Sequence, residues 1–163
     1  MSFPLSVSSA SALSELLDRE RIVARVTELF LATDRKDWSA VEACFAPTVV
    51  FDMSSVGAGP AASVTPHDIA TGWRTGLAGV EHVHHQAGNF VVTVAGEEAE
   101  AFCYGIAYHY RARADGRNTR VFVGSYHYRL ERADSPWGWR ISGFRFDLKF
   151  VDGNLQLGEE EPA

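Results

Sequence analysis

The chain has 163 residues, of which 46% are apolar and 22% are charged, the balance of an ordinary folded domain. Its formal net charge is −6 and it contains no run of basic residues, which argues against nucleic acid as a partner. No stretch approaches the ~20 consecutive apolar residues that a membrane-spanning helix needs, so no membrane association is expected.

The length suits a single domain that can bury its own core. We expect a flexible, serine-rich lead over residues 1–12, one domain over residues 13–152 and an acidic tail over residues 153–163. The lead lacks the charged and long apolar regions of a signal peptide, which predicts a cytoplasmic protein. Cys44 and Cys103 are not in a CxxC pair, so buried, reduced thiols are expected.

The first predicted element is an amphipathic helix over residues 14–34, because apolar residues recur there at 3.6-residue spacing: Ile22, Val23, Val26, Leu29 and Phe30. At 100° per residue, Asp34 lies about 40° from Phe30, on the apolar face. It also lies near the C-terminal end, where the helix dipole disfavours a carboxylate. Asp34 is therefore a candidate functional residue, unless the helix frays before it and the side chain reaches water.

Two shorter helices are predicted from their starting residues. Asp37 can cap a helix that Pro47 ends. Thr65 can cap a helix with Pro66 at its first position and Asp68 near the positive end of the dipole. We expect this last helix to fade over residues 76–79.

Strands follow. A short strand is expected over residues 49–52, with a loop after it at Gly57, Gly59 and Pro60. Four longer strands are expected over residues 82–94, 99–113, 121–132 and 137–150, with a strong hairpin turn at Asp115-Gly116. The long strands are apolar on both faces, which predicts an α+β domain with helices against one face of the sheet.

The run of residues 81–85 contains three of the six histidines. Alternation along a strand puts His82 and His84 on one face and His85 on the other. No cysteine or carboxylate stands at a useful spacing, so no metal site is expected. His85 is either a functional residue or a structural histidine with its hydrogen bonds satisfied.

Polar side chains on the later strands are candidate pocket residues: Tyr104, Tyr108, Ser125, His127 and Arg145. If their faces turn inward, they form a mostly apolar pocket with a few fixed polar groups, as in small-molecule sites. In the alternative, these residues face solvent and Phe144, Phe146 and Leu148 line the core. Alternation leaves both open.

Residues 14–152 resemble the SnoaL-like branch of the nuclear-transport-factor-two-like superfamily. The matching segments are Asp18-Arg19 with Ile22, Asp34-x-x-Asp37-Trp38, Phe45-Ala46-Pro47, His85-x-x-Gly88-Asn89, Gly124-Ser125-Tyr126 before Arg132, and Trp139-Arg140-Ile141. The resemblance implies a cone-shaped α+β roll, in which a curved antiparallel or mixed sheet wraps around the N-terminal helices and leaves one internal pocket. Members include scytalone dehydratase, hexachlorocyclohexane dehydrochlorinase, polyketide cyclases, ketosteroid isomerases and non-catalytic dioxygenase small subunits.

In the dehydratase and the dehydrochlorinase, an aspartate at the end of the first helix orients a histidine on a strand, and Asp34 and His85 match those positions. The resemblance thus implies a cofactor-independent lyase or isomerase, dehydratase-like or cyclase-like, acting on a small, mainly apolar ring compound. His85 would remove a proton from carbon, while Tyr108, Ser125 or His127 would donate to the developing charge. The alternative is a non-catalytic module that binds a small ligand or assembles with another chain.

The apolar second face of the sheet predicts a homodimer or a larger homo-oligomer that covers it. The alternative is that the C-terminal tail folds back over this face through Leu155 and Leu157.

Overall fold

The computed structural model describes residues 9–113 and 116–158. Its helices and strands are, in chain order, α1 (Ser9–Asp34), α2 (Trp38–Ala43), β1 (Phe45–Asp52), a one-turn 3-10 helix (Ser54–Val56), β2 (Ala62–Val64), α3 (Pro66–Gly76), β3 (His82–Ala95), β4 (Glu98–Tyr110), β5 (Thr119–Arg132) and β6 (Trp139–Gly153). No helix in these described ranges is long and apolar enough to cross a membrane.

The predicted helix starts have the expected caps. The Oδ1 atom of Asp37 accepts a hydrogen bond from the backbone N–H of Ala40 at 3.1 Å, at the start of α2. At the start of α3, Thr65 and Asp68 form a reciprocal capping box, and α3 ends at Gly76. Helix α1 begins at Ser9, inside the segment predicted to be a flexible lead, while residues 1–8 of that lead lie outside the described residues.

The six strands form one mixed sheet in the order β2-β1-β6-β5-β4-β3. All neighbouring pairs are antiparallel except β1 and β6, which are parallel. The helices pack on one face of the sheet, which we call the inner face, and we call the other the outer face. The core between them includes Ile22, Val26, Leu29, Tyr128, Trp139, Ile141 and Phe144. The predicted α+β fold class is confirmed.

A β-bulge changes the alternation along β3. His85 pairs with Ala107, and the register shifts between Gly88 and Val91, so that Val92 pairs with Ala101. The extra residue puts Val92 on the inner face together with His85. Strict alternation along β3 would put Val92 on the opposite face from His85, but alternation does not hold across a bulge. Asn89, inside the bulge, has a φ of 58°.

A partly buried ion pair ties α1 to the ends of β5 and β6. Arg132 donates to the two carboxylate oxygens of Asp18 at 3.1 and 3.0 Å, and the indole N–H of Trp139 donates to Oδ1 at 3.3 Å. The Arg132 guanidinium holds the pKa of Asp18 below its usual value. Arg25, also buried, donates from Nε to the Trp139 carbonyl at 2.9 Å. These contacts fix the direction in which the far end of α1 points.

Residues 154–158, the described part of the segment after β6, cover one end of the sheet and leave its outer face open. Leu157 is fully buried, whereas Leu155 is exposed. A Cβ atom at Gly79 would lie 2.3 Å from the Gly158 carbonyl oxygen, so the segment packs tightly on the turn after α3. Large side chains on the outer face remain exposed: Val91, Tyr104, Tyr108 and Phe150. The acidic run over residues 159–161 lies outside the described residues.

Candidate active site

The last residue of α1 and an inward-facing residue of β3 are in direct contact. Nδ1 of His85 lies 2.6 Å from Oδ1 of Asp34. The backbone N–H of His85 also donates to both carboxylate oxygens, at 3.1 and 3.0 Å. Because β3 is an edge strand, the Asp34 carboxylate fills an acceptor position that no neighbouring strand supplies. The contact expected between Asp34 and His85 is present.

This contact fixes the orientation and tautomer of the His85 ring. A carboxylate accepts only, so Nδ1 carries a proton, and in the neutral form of the ring Nε2 has the free lone pair. The ring also stacks on Phe30, with centroids 5.0 Å apart and planes at 24°. The His85 and Asp34 side chains are 13% and 15% exposed. The ring is therefore held in one orientation in a mostly buried position.

His85 lies in the wall of a cavity of about 290 Å³ between α3 and the inner face of the sheet. Most of the other wall residues are apolar or aromatic, and they include Met53, Val56, Trp73, Phe122, Phe144 and Phe146. This combination of apolar walls and a few fixed polar groups is typical of sites for small molecules.

A second histidine, His109, lines the same cavity and was not predicted. It is 8% exposed, and Arg120 lies 3.2 Å from its Nδ1. Because arginine only donates, Nδ1 accepts and Nε2 carries the proton. Burial, reinforced by the Arg120 charge, lowers the pKa of His109 to about 3, so the ring is neutral at ordinary pH. The run of small residues at alternate positions of β4 marks the inner face and could have identified it: Ala99, Ala101, Cys103, Gly105 and Ala107.

Tyr126 is the other polar residue that sequence reasoning missed. It is 6% exposed, and its hydroxyl makes no hydrogen bond with any described residue. Burial raises its pKa, so it stays protonated. Its ring lies flat on Gly105, where a Cβ atom would come within 2.2 Å of the ring. The cavity thus contains an unpartnered O–H donor in addition to the two histidines.

The predicted pocket residues lie on the outer face, away from this cavity: Tyr104, Tyr108, Ser125, His127 and Arg145. The strand register pairs Tyr104 with Ser125 and His127 with Arg145, so the predicted sharing of faces holds. The choice of the inner face was wrong, because alternation fixes which residues share a face but not which face is covered. Phe144 and Phe146 line the core instead, as the alternative expected.

Two of these outer residues join a different surface feature. His127 and Arg145 line a groove of about 400 Å³ on the outer face. Both contact Asp147, His127 through Nε2 at 3.3 Å and Arg145 through Nη2 at 2.7 Å. Their side chains are 50% and 58% exposed, and the groove lies on the opposite side of the sheet from His85.

The three histidines of the 81–85 run do not converge. His82 and His84 lie over Tyr110 and Tyr108 on the outer face, at centroid distances of 5.9 and 6.4 Å, while His85 faces inward. Within residues 9–113 and 116–158, no three His, Cys, Asp or Glu side chains come together as metal ligands would.

A profile of the SnoaL-like domain matches residues 14–145. Among solved structures, a protein from Kribbella flavida has a TM-score of 0.80 and 22% identity, covering 88% of this chain and 97% of that chain. A type 2 hexachlorocyclohexane dehydrochlorinase (LinA) has a TM-score of 0.73 and 13% identity, with 88% and 93% covered. A candidate scytalone dehydratase from Novosphingobium aromaticivorans has a TM-score of 0.74 and 12% identity, with 88% and 91% covered. Curated proteins give no match. The chain belongs to the SnoaL-like domain family, with the nuclear-transport-factor-two-like fold.

Proposed function

We propose that the protein is a cofactor-independent lyase or isomerase that removes a proton from a carbon atom of a small, mainly apolar ring compound. The observation that carries this proposal is the 2.6 Å contact between Asp34 and His85 in the wall of an aromatic cavity. Two structures with the same fold support it by their names, a dehydrochlorinase and a candidate dehydratase, since both names denote elimination reactions.

In the proposed reaction, Nε2 of His85 takes a proton from carbon, and the C–H electron pair moves into the substrate. The ring becomes an imidazolium, and the Asp34 carboxylate stabilises that positive charge through Nδ1. The apolar walls strengthen this pairing because they exclude water. In an elimination, the leaving group departs from the adjacent carbon with its electron pair. In an isomerisation, the proton returns to a different carbon.

His109 and Tyr126 are positioned to stabilise the negative charge that develops when the proton leaves. The Nε2–H of His109 and the hydroxyl of Tyr126 are both neutral donors in the cavity. Donors that are already in place where charge develops lower the barrier most effectively in a water-excluded site. They take the role that Tyr108, Ser125 and His127 were expected to have.

Deuterium exchange tests the proton removal without knowledge of the natural substrate. Cyclic ketones such as cyclohexanone and β-tetralone carry acidic C–H groups, and their exchange in deuterated water can be followed by proton NMR. We expect the protein to accelerate exchange for at least one of them and His85→Ala to lower the rate by roughly 10²–10⁴-fold. His84→Ala is the matched control, because that adjacent histidine faces outward, and it should retain the wild-type rate. No acceleration with either ketone would refute the proposal.

A non-catalytic ligand-binding module is the second candidate. It is favoured by the two hydrogen bonds from the His85 backbone N–H to Asp34, which give this carboxylate a structural role that requires no chemistry. Binding of cyclic ketones without any exchange would support this candidate over the enzyme.

We also propose that the protein assembles as a homodimer through the outer face. The exposed apolar and aromatic side chains there form a broad surface that the described C-terminal residues leave uncovered.

A further inference from the structure

The cavity-facing stripe of α3 contains two glycines. Ile69, Gly72, Trp73 and Gly76 are spaced as i, i+3, i+4 and i+7, which places them on one side of the helix. Ile69 is buried in the core, and Trp73 packs against Phe45 and Phe144. Gly72 and Gly76 are both exposed, and they line the solvent-accessible side of the cavity that contains His85.

Neither the backbone conformation nor the side-chain packing of the protein requires glycine at these two positions. Neither of them has a positive φ. A Cβ atom added at either position would meet no atom within 4 Å. Glycine is also the least favoured residue in a helix after proline, because it loses the most backbone freedom on folding. The two positions therefore weaken the helix and leave the exposed side of the cavity without side chains.

The same cavity contains polar groups that lack partners. The Tyr126 hydroxyl makes no hydrogen bond with a described residue, and within residues 9–113 and 116–158 His109 has a hydrogen-bond partner at Nδ1 alone, which is Arg120. Both residues are more than nine-tenths buried. The apolar walls and the two donors together suit a ligand that has a flat apolar part and an acceptor oxygen.

We propose that Gly72 and Gly76 determine substrate specificity by forming a wall without side chains, against which a flat ring lies with its oxygen directed toward Tyr126 and His109. The part of this proposal that concerns a substrate rests on the proposed function. The wall itself can be tested by binding alone, with a ligand that undergoes no reaction.

The test is the affinity for β-naphthol, a flat two-ring alcohol, measured by calorimetry alongside the melting temperature. Gly72→Ala and Gly76→Ala should each weaken binding about tenfold, because the added methyl group occupies the space of the ring. Gly72→Ala should also raise the melting temperature by about 2–4 °C, since alanine favours the helix. Gly76→Ala, at the last helical residue, should raise it less.

Gly88→Ala is the matched control. Gly88 lies on β3 opposite Tyr104, on the outer face, and a Cβ atom there also meets nothing within 4 Å. This variant should bind β-naphthol with wild-type affinity. Phenol, which is smaller, should be less affected than β-naphthol by the two α3 variants.

Wild-type affinity for β-naphthol in both α3 variants would overturn the proposal, as would a lack of binding by the wild-type protein. A lower melting temperature in Gly72→Ala would also overturn it, because the glycine would then serve the fold. The result is independent of turnover. If the ketones show no exchange but the α3 variants lose affinity, the proposed reaction fails and the glycine wall stands. If the ketones exchange deuterium and the α3 variants bind β-naphthol with wild-type affinity, the proposal about Gly72 and Gly76 fails and the proposed reaction stands.

Discussion

Replacing Asp34 by asparagine keeps the shape of the side chain and removes its charge, which isolates the electrostatic part of its contact with His85. The carboxylate accepts from both Nδ1 and the backbone N–H of His85. An amide has one acceptor oxygen and one donating NH₂ group, so it cannot accept at both sites in the same way. If NH₂ faces the ring, Nδ1 must accept, the proton moves to Nε2, and the base is lost.

The expected loss is large and specific to the reaction. We predict that Asp34→Asn lowers the rate of ketone deuterium exchange by roughly 10²–10⁴-fold, which corresponds to about 3–5 kcal/mol of barrier. The free energy of unfolding should fall by only about 1–2 kcal/mol, from one weakened hydrogen bond. Because both residues act on one proton transfer, the double variant with His85→Ala should be no slower than His85→Ala alone. An Asp34→Asn rate within threefold of wild type, or additive losses in the double variant, would refute the reasoning.

Three further predictions concern the cavity, the fold and the assembly. His109→Asn keeps an acceptor for Arg120 but removes Nε2–H, so exchange should slow by about 10–10²-fold. Because the folded pKa of His109, about 3, lies below its ordinary value, wild-type stability should fall as the pH falls from about 6.5 toward 3. Urea unfolding should show that the free energy of unfolding falls less over this pH range in the His109→Asn variant than in the wild type. Equal falls in the two proteins would contradict the lowered pKa of His109. Asp18→Asn should lower the free energy of unfolding by about 2–3 kcal/mol at neutral pH. Because the pKa of Asp18 is lowered in the folded protein, the difference in free energy of unfolding between wild type and Asp18→Asn should be present above about pH 4 and should disappear as the pH falls further. A difference that stays the same in acid would count against the ion pair. Sedimentation velocity should give twice the 17.9 kDa monomer mass, and Tyr104→Glu with Tyr108→Glu should give monomers; monomers of the wild type at all micromolar concentrations would exclude the dimer.

Local signals in the sequence were sufficient to predict the helices and one of the two residues in the central contact of the site, Asp34. Caps at Asp37 and Thr65 are satisfied within three residues, so they can be identified from the sequence alone. The position of Asp34 follows from helical periodicity, because the preceding apolar residues fix the buried side of α1. His85 required the family resemblance, since a single strand histidine does not indicate its partner.

The inner wall could not be predicted, because the relevant information is not local. The long strands are apolar on both faces, so Tyr108 and His109 were equally plausible as inward-facing residues. The helices that cover one face decide between them. The bulge after Gly88 and the parallel pairing of β1 with β6 depend on contacts distant in sequence. The small residues along β4 were the one available sign of which face the helices cover, because close packing of helices on a sheet favours short side chains on that face.

The central claim is that His85 provides the base, and chemical rescue tests it most directly. Deuterium exchange of β-tetralone would be measured for His85→Ala with and without added imidazole. We predict that the variant loses exchange and that free imidazole partly restores it, with less restoration when Asp34→Asn is also present. Exchange at the wild-type rate in His85→Ala without imidazole would contradict the claim.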